Sequence, residues 1–102
     1  MSVKKYYSLA RQRLFPICRS ITGNGVRKTL KIIKKEFPKL KIYSVPSGTK
    51  VFDWNIPPEW NIKDAYILDK DNKKIVDFKN NNLHLVGYST PINKFFSKKE
   101  LF

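Results

Sequence analysis

Few residues in this 102-residue chain could do chemistry, and they do not gather into a recognised pattern. His84 is the only histidine. It alternates with Leu83 and Leu85, so in a strand it faces away from both. A metal site would need further ligands converging on it, with Asp77 and Asp53 as candidates only if the fold brought them together. The simpler reading is a surface or hydrogen-bonded histidine. Any Ser–His–Asp arrangement would have to use His84, and no convincing set can be built around it. Cys18 is the only cysteine and reads as a small buried side chain, not a nucleophile. Asp69 and Asp71 are paired carboxylates, but they sit in a turn, where Asp is favoured for its geometry. Thr22-Gly23-Asn24-Gly25 precedes a helix and could offer free N–H groups to an anion. It lacks the glycine spacing and the lysine of a phosphate loop. Trp54 and Trp60 flank Pro57-Pro58; packing around a proline corner competes there with a ligand-stacking surface. Residue by residue, the sequence therefore assigns no catalytic residue and no metal ligand, and leaves substrate contacts unknown.

The elements that would position these groups follow from periodicity. Residues 3–15 read as an amphipathic helix with Val3, Tyr7, Ala10 and Leu14 on one face, limited by Pro16. A second helix spans about residues 25–37, with an apolar stripe of Val26, Leu30, Ile33 and Phe37 widened by Ile32. Asn24 or Thr22 is its expected N-cap, and Pro38 stops it. From Leu40 the period changes to two. Strands are expected at Leu40–Val45, Lys50–Ile56 and Leu83–Tyr88. Ala65–Leu68 and Lys74–Phe78 should form a hairpin around Asp69–Lys73. Ser97-Lys98-Lys99-Glu100 has the form of a capping box, so a helix should start there. Only Leu101 and Phe102 follow it, which carries the expectation of a truncated helix.

Composition bounds the rest. This length allows one small domain with a modest core. No apolar run approaches a membrane span, and the N-terminus has no signal-peptide character. One cysteine excludes an internal disulfide, and a cytoplasmic location is the default expectation. The net charge is +13, of which residues 1–41 contribute +11. That invites a nucleic-acid reading. However, Lys, Ile and Asn make up 35 of the 102 residues, a bias that AT-rich codons alone produce. The expectation is weak, sequence-independent nucleic-acid binding at low salt.

Longer runs are more telling. They are Leu14-Phe15-Pro16-Ile17-Cys18-Arg19-Ser20-Ile21-Thr22-Gly23-Asn24-Gly25-Val26-Arg27, Val45-Pro46-Ser47-Gly48-Thr49-Lys50-Val51-Phe52-Asp53-Trp54, Pro58-Glu59-Trp60-Asn61-Ile62-Lys63-Asp64-Ala65-Tyr66, and Ile75-Val76-Asp77-Phe78 with Leu83-His84. In this order they resemble the N-terminal part of a family of bacterial aminopeptidase-like proteins. That family is also known as a domain of unknown function and is sometimes named for polysaccharide biosynthesis. The resemblance covers about residues 10–101.

It implies a zinc-dependent aminopeptidase of the co-catalytic two-zinc type for the full-length family, acting on peptides. It also implies an α/β peptidase-like domain interrupted early by a β-rich insertion and followed by a winged helix. Residues 1–46 would be the opening helices and first strand of the peptidase-like domain. Residues 47–96 would be a β-rich inserted module, and residues 97–102 the start of a helix. The family's zinc ligands lie further downstream, so none maps onto this chain, and His84 matches a position in the insertion.

The sequence-level expectation is thus an α+β fragment of an aminopeptidase-like protein that is not catalytic alone. The alternative is a stand-alone protein- or nucleic-acid-binding module using the β-rich part or the basic helices. An incomplete sheet beside exposed helix faces also carries an expectation of weak cooperativity or self-association.

Overall fold

A computed structural model describes residues 2–101. Its elements are helices near both ends and two separate antiparallel hairpins between them, an α+β arrangement. Helix α1 (Val3–Leu9) starts at Ser2, whose Oγ accepts from the Lys5 N–H at 3.3 Å. It continues into a wider π-helical turn over Ala10–Leu14. The Phe15 N–H reaches back to the Ala10 carbonyl at 2.8 Å, a five-residue span that ends the helix just before Pro16. The expected apolar stripe of α1 is not buried here: Val3 and Tyr7 are exposed. Tyr6 makes the packing contact instead, stacked on Phe37 with ring centroids 5.9 Å apart.

Helix α2 (Asn24–Glu36) lies within one residue of the span its periodicity predicts. Its most buried residue is Ile32, at 8% exposure, and not a member of the main stripe; Phe37 remains half exposed. The expected side-chain cap is corrected. Gly23 is the cap residue, at φ +144°, and neither Thr22 nor Asn24 caps the helix with its own side chain. Asn61 does so from another loop: its Oδ1 accepts from the Asn24 N–H at 2.7 Å.

The β segments are shorter than expected. Lys50–Ile56 is not one strand but a tight hairpin, β1 (Lys50–Val51) with β2 (Trp54–Asn55), reversed at Phe52, whose φ is +54°. β3 (Tyr66–Leu68) and β4 (Lys74–Asp77) form the predicted second hairpin, with a register irregularity after Ile67. The Asp69 carboxylate organises its loop, accepting from the N–H groups of Asp71 and Lys73 at 2.9 and 3.0 Å.

Two expected strands are absent among the described residues. Leu83–Tyr88 instead begins within a 3₁₀ turn, Asn82–His84, because the Asn81 side chain accepts from the Leu83 N–H at 3.0 Å. Tyr88 then adopts φ +64°. Leu40–Val45 forms no ladder. Leu40 is still held to the end of α2, through its N–H to the Phe37 carbonyl and its carbonyl to Lys34 Nζ. Beyond it, no strand among the described residues pairs with this segment. The expected strand at Leu40–Val45 is therefore not formed among the described residues.

The capping box is present. The Ser97 N–H donates to Glu100 Oε2 at 2.6 Å, and the Glu100 N–H to Ser97 Oγ at 3.3 Å, at the start of α3 (Lys98–Leu101).

The molecule is open. Its radius of gyration is 18.0 Å, against about 13 Å for a compact chain of this length. Its accessible surface is 9342 Å², half as much again as the roughly 6,000 Å² of a compact 12 kDa monomer. Many large apolar side chains, including Phe52, Phe95 and Ile92, face solvent.

Candidate functional site

The most organised region is a clasp that ties the turn before α2 to two distant loops. Its logic begins with close approach. A Cβ on Gly25 would lie 2.0 Å from the Cys18 carbonyl oxygen, so only glycine lets residues 18–20 pack on the start of the helix. Gly23 provides the left-handed turn into α2 while sitting against the Trp60 carbonyl and the Asn61 side chain. Ser20 Oγ lies in hydrogen-bonding contact with the carbonyls of Thr22 and Trp60. Tyr88 OH donates to the Pro58 carbonyl at 2.9 Å and lies 3.1 Å from Thr22 Oγ1. Trp60 stacks on Tyr88, and its indole Nε1–H donates to the Ser89 carbonyl at 3.0 Å. Arg27 pairs with Glu59 and also donates to Asn24 Oδ1. The side chains of Ser20, Thr22, Arg27, Trp60 and Tyr88 are all engaged by other parts of the chain. The clasp is a positioning device for α2 and the two loops, not a reactive constellation.

Below the clasp runs a groove of about 630 Å³. Its lining includes Ile21, Val26, Leu30, Ile42, Val45 and Ile56, with Arg27, Lys31 and Glu59 among its polar residues. Four consecutive residues, Ile42, Tyr43, Ser44 and Val45, all line it. No hydrogen bond to or from the main chain of residues 41–45 occurs among the described residues.

The sequence-level candidates resolve as follows. His84 Nδ1 lies 3.1 Å from the Asp77 carbonyl oxygen. A carbonyl only accepts, so Nδ1 carries the proton. The Asp77 carboxylate accepts from the Lys79 N–H and pairs with Lys74. Asp53 sits at the turn of the other hairpin. Among the described residues, no three His, Cys, Asp or Glu side chains converge to hold a metal ion. The donor set present therefore does not fit a zinc site. Cys18 is half-buried, beside a smaller cleft of about 290 Å³ lined by Ser20, Asn61 and Trp60 among others. In the Thr22–Gly25 segment, the Asn24 N–H that could meet an anion is taken by Asn61. Trp60 is a clasp residue, whereas Trp54 stands half exposed on β2. Sequence reasoning missed Asn61 and Tyr88, whose partners lie 37 and 66 residues away.

Comparison with known proteins places this geometry in context. The family model described as "Domain of unknown function (DUF4910)" matches residues 7–98. A protein of Clostridium acetobutylicum, described as a polysaccharide biosynthesis protein with an aminopeptidase-like domain, is 60% identical over 90 residues, covering 88% of this chain and 20% of that protein. A crystal structure from Clostridium acetobutylicum, described as that of a peptidase, superposes with a TM-score of 0.84 at 59% identity, over 89% of this chain and 21% of the other. The chain thus spans about a fifth of the length of the relatives it matches. Among the described residues no helix is long and apolar enough to cross a membrane.

Proposed function

We propose, because the chain belongs to the family described as "Domain of unknown function (DUF4910)", that it supplies the N-terminal scaffold of an aminopeptidase-like, zinc-metallopeptidase-related protein and is not catalytic by itself. The observation that carries this reading is 60% identity across 88% of the chain to only 20% of an aminopeptidase-like relative. Residues 1–46 serve as the opening helices of the peptidase-like body, residues 47–96 as a β-rich insertion, and residues 97–102 as the start of a helix.

The open surface supports the same reading. A chain that leaves half as much again of its area in water as a compact monomer of its mass has apolar faces suited to packing against a larger body. Zinc enters only at the level of the whole family. The described residues offer no converging set of metal ligands, which supports placing the catalytic chemistry elsewhere in such a protein.

The test is direct. The purified chain is supplied with zinc, desalted, and measured for metal content and for release of chromophore from aminoacyl-nitroanilides. The expected result is zinc far below one ion per chain and no turnover. One tightly held zinc per chain, or measurable turnover, overturns the proposal.

A further inference from the structure

We propose that Asn24 is a site of spontaneous deamidation gated by the clasp: it closes to a succinimide when the start of α2 opens, and the isoaspartate that follows keeps the clasp from closing again. This inference rests on the clasp and not on the peptidase-like reading, so either can fail without the other.

The sequence supplies the chemistry. Of the four glycines, only Gly25 follows an asparagine. Having no side chain, Gly25 leaves its nitrogen unhindered for attack on the amide carbon of the residue before it. A bond forms from the Gly25 nitrogen to Asn24 Cγ and the Cγ–Nδ2 bond breaks. The Gly25 N–H proton leaves with the side-chain nitrogen as ammonia. Water then adds to one of the two imide carbonyls, and Asn24 is exposed to it. Cleavage of the new N–Cγ bond gives aspartate. Cleavage of the original peptide bond gives isoaspartate, whose main chain is one carbon longer.

The structure supplies the gate. Asn24 is the first residue of α2, and helical side chains lean toward the N-terminus, away from the following nitrogen. Arg27 Nη1 donates to Asn24 Oδ1 at 2.9 Å and fixes the amide. The Asn24 N–H is held by Asn61 Oδ1 at 2.7 Å. Gly25 sits so closely on the Cys18 carbonyl that a Cβ would stand 2.0 Å from its oxygen, which leaves this backbone little room to turn. Ring closure therefore requires local opening of the clasp. The two products then diverge. An aspartate at 24 lies at the positive end of the helix dipole beside Arg27, so the clasp closes again. An isoaspartate displaces Gly25 by one carbon, so the Asn61 cap and the seat on Cys18 no longer form together.

The test incubates the full chain in mildly alkaline buffer, native and in guanidinium chloride, and follows deamidation by peptide mapping. Fragmentation by electron transfer distinguishes isoaspartate from aspartate. In the unfolded chain Asn24 should react before every other asparagine. In the native chain it should react about ten- to a hundredfold more slowly, the range that local opening at an exposed helix start allows. Asn61→Ala should speed the native reaction about fivefold, the lost cap expressed as a rate. Arg27→Ala, at an exposed position, should speed it about two- to fivefold. After ion-exchange separation, the isoaspartate form should lose hydrogen-exchange protection across residues 24–27 and the aspartate form should keep it. Equal native and unfolded rates, another asparagine reacting first, or native rates unchanged in both variants overturns the proposal. So does an isoaspartate form that keeps its protection, or native Asn24 left unmodified over about a hundred unfolded half-lives.

Discussion

Gly25 sets two physical effects against each other, and the structure says which wins. It is the second residue of α2, where Ala is the better helix former. Replacing an exposed helical Gly with Ala stabilises by about 0.5–1 kcal/mol. At Gly25 the added methyl would stand 2.0 Å from the Cys18 carbonyl oxygen, 3.0 Å from its carbonyl carbon and 3.2 Å from Arg19 Cα. All three are backbone atoms, so no side chain can swing aside. A carbon normally keeps about 3.3 Å or more from a carbonyl oxygen, which requires a retreat of more than about 1 Å. Residues 18–20 cannot retreat freely, because Ser20 holds the Trp60 carbonyl and Arg19 donates to the Leu14 carbonyl and Thr29 Oγ1. Overpacking of this kind costs about 1–3 kcal/mol and exceeds the propensity gain, so Gly25→Ala should destabilise by about 1–2 kcal/mol net. Urea unfolding followed at 222 nm, which reports the helices, measures it. Gly87→Ala is the matched control: nothing lies within 4 Å of the added methyl, and the change should stay within about 0.5 kcal/mol. Gly48→Ala meets no atom either but sits at φ +85°, and should lose about 1–2 kcal/mol from backbone strain alone. If Gly25→Ala is as stable as the parent or more so, the close packing of residues 18–20 on α2 is wrong.

Asn61→Ala removes the borrowed cap on α2 and should cost about 1 kcal/mol. Loss of exchange protection at the Asn24 amide would localise the effect, and unchanged protection there would refute the capping role. Glu100 has its carboxyl held below the ordinary range by hydrogen bonds from the Ser97 backbone N–H and then its side chain. A depressed acid contributes stability above its unfolded pKa of about 4.3. The α3 start should therefore persist above that pH and be lost as pH falls through the lower folded value. A carbon-13 titration of the Glu100 carboxyl checks this, and a midpoint at or above that of free Glu would contradict it.

What the sequence made legible was local. Helix α2 repeats its apolar residues every three or four positions, and the α2 span follows within one residue. The hairpin from Tyr66 to Asp77 is written in alternation around an Asp-rich loop. The capping box at Ser97 is a four-residue signal, and both of its hydrogen bonds form. What failed depended on partners far away or on conformations the residue type does not favour. Phe carries no preference for φ +54°, so nothing in Lys50–Ile56 announces a reversal at Phe52. Leu40–Val45 has the composition of a strand, but a strand exists only as a pair, and none of the described residues pairs with it.

The candidate site shows the same division. Its chemistry-bearing residues were easy to name and did not converge: His84 spends its ring on a carbonyl, and Asp77 on Lys79 and Lys74. The residues that do converge were visible only as long distinctive runs. Arg19-Ser20-Ile21-Thr22-Gly23-Asn24-Gly25 and Pro58-Glu59-Trp60-Asn61 meet in space, joined through Ser20, Thr22, Asn24 and Arg27. No periodicity explains why Gly23, Gly25, Trp60 and Asn61 stand where they do. Their mutual contacts do, since each glycine makes room for a specific carbonyl or side chain of the clasp. A run distinctive enough to mark a family can therefore be a structural joint and not an active centre. In this chain the joint holds α2, whose Val26 and Leu30 line one groove together with Ile42, Tyr43, Ser44 and Val45.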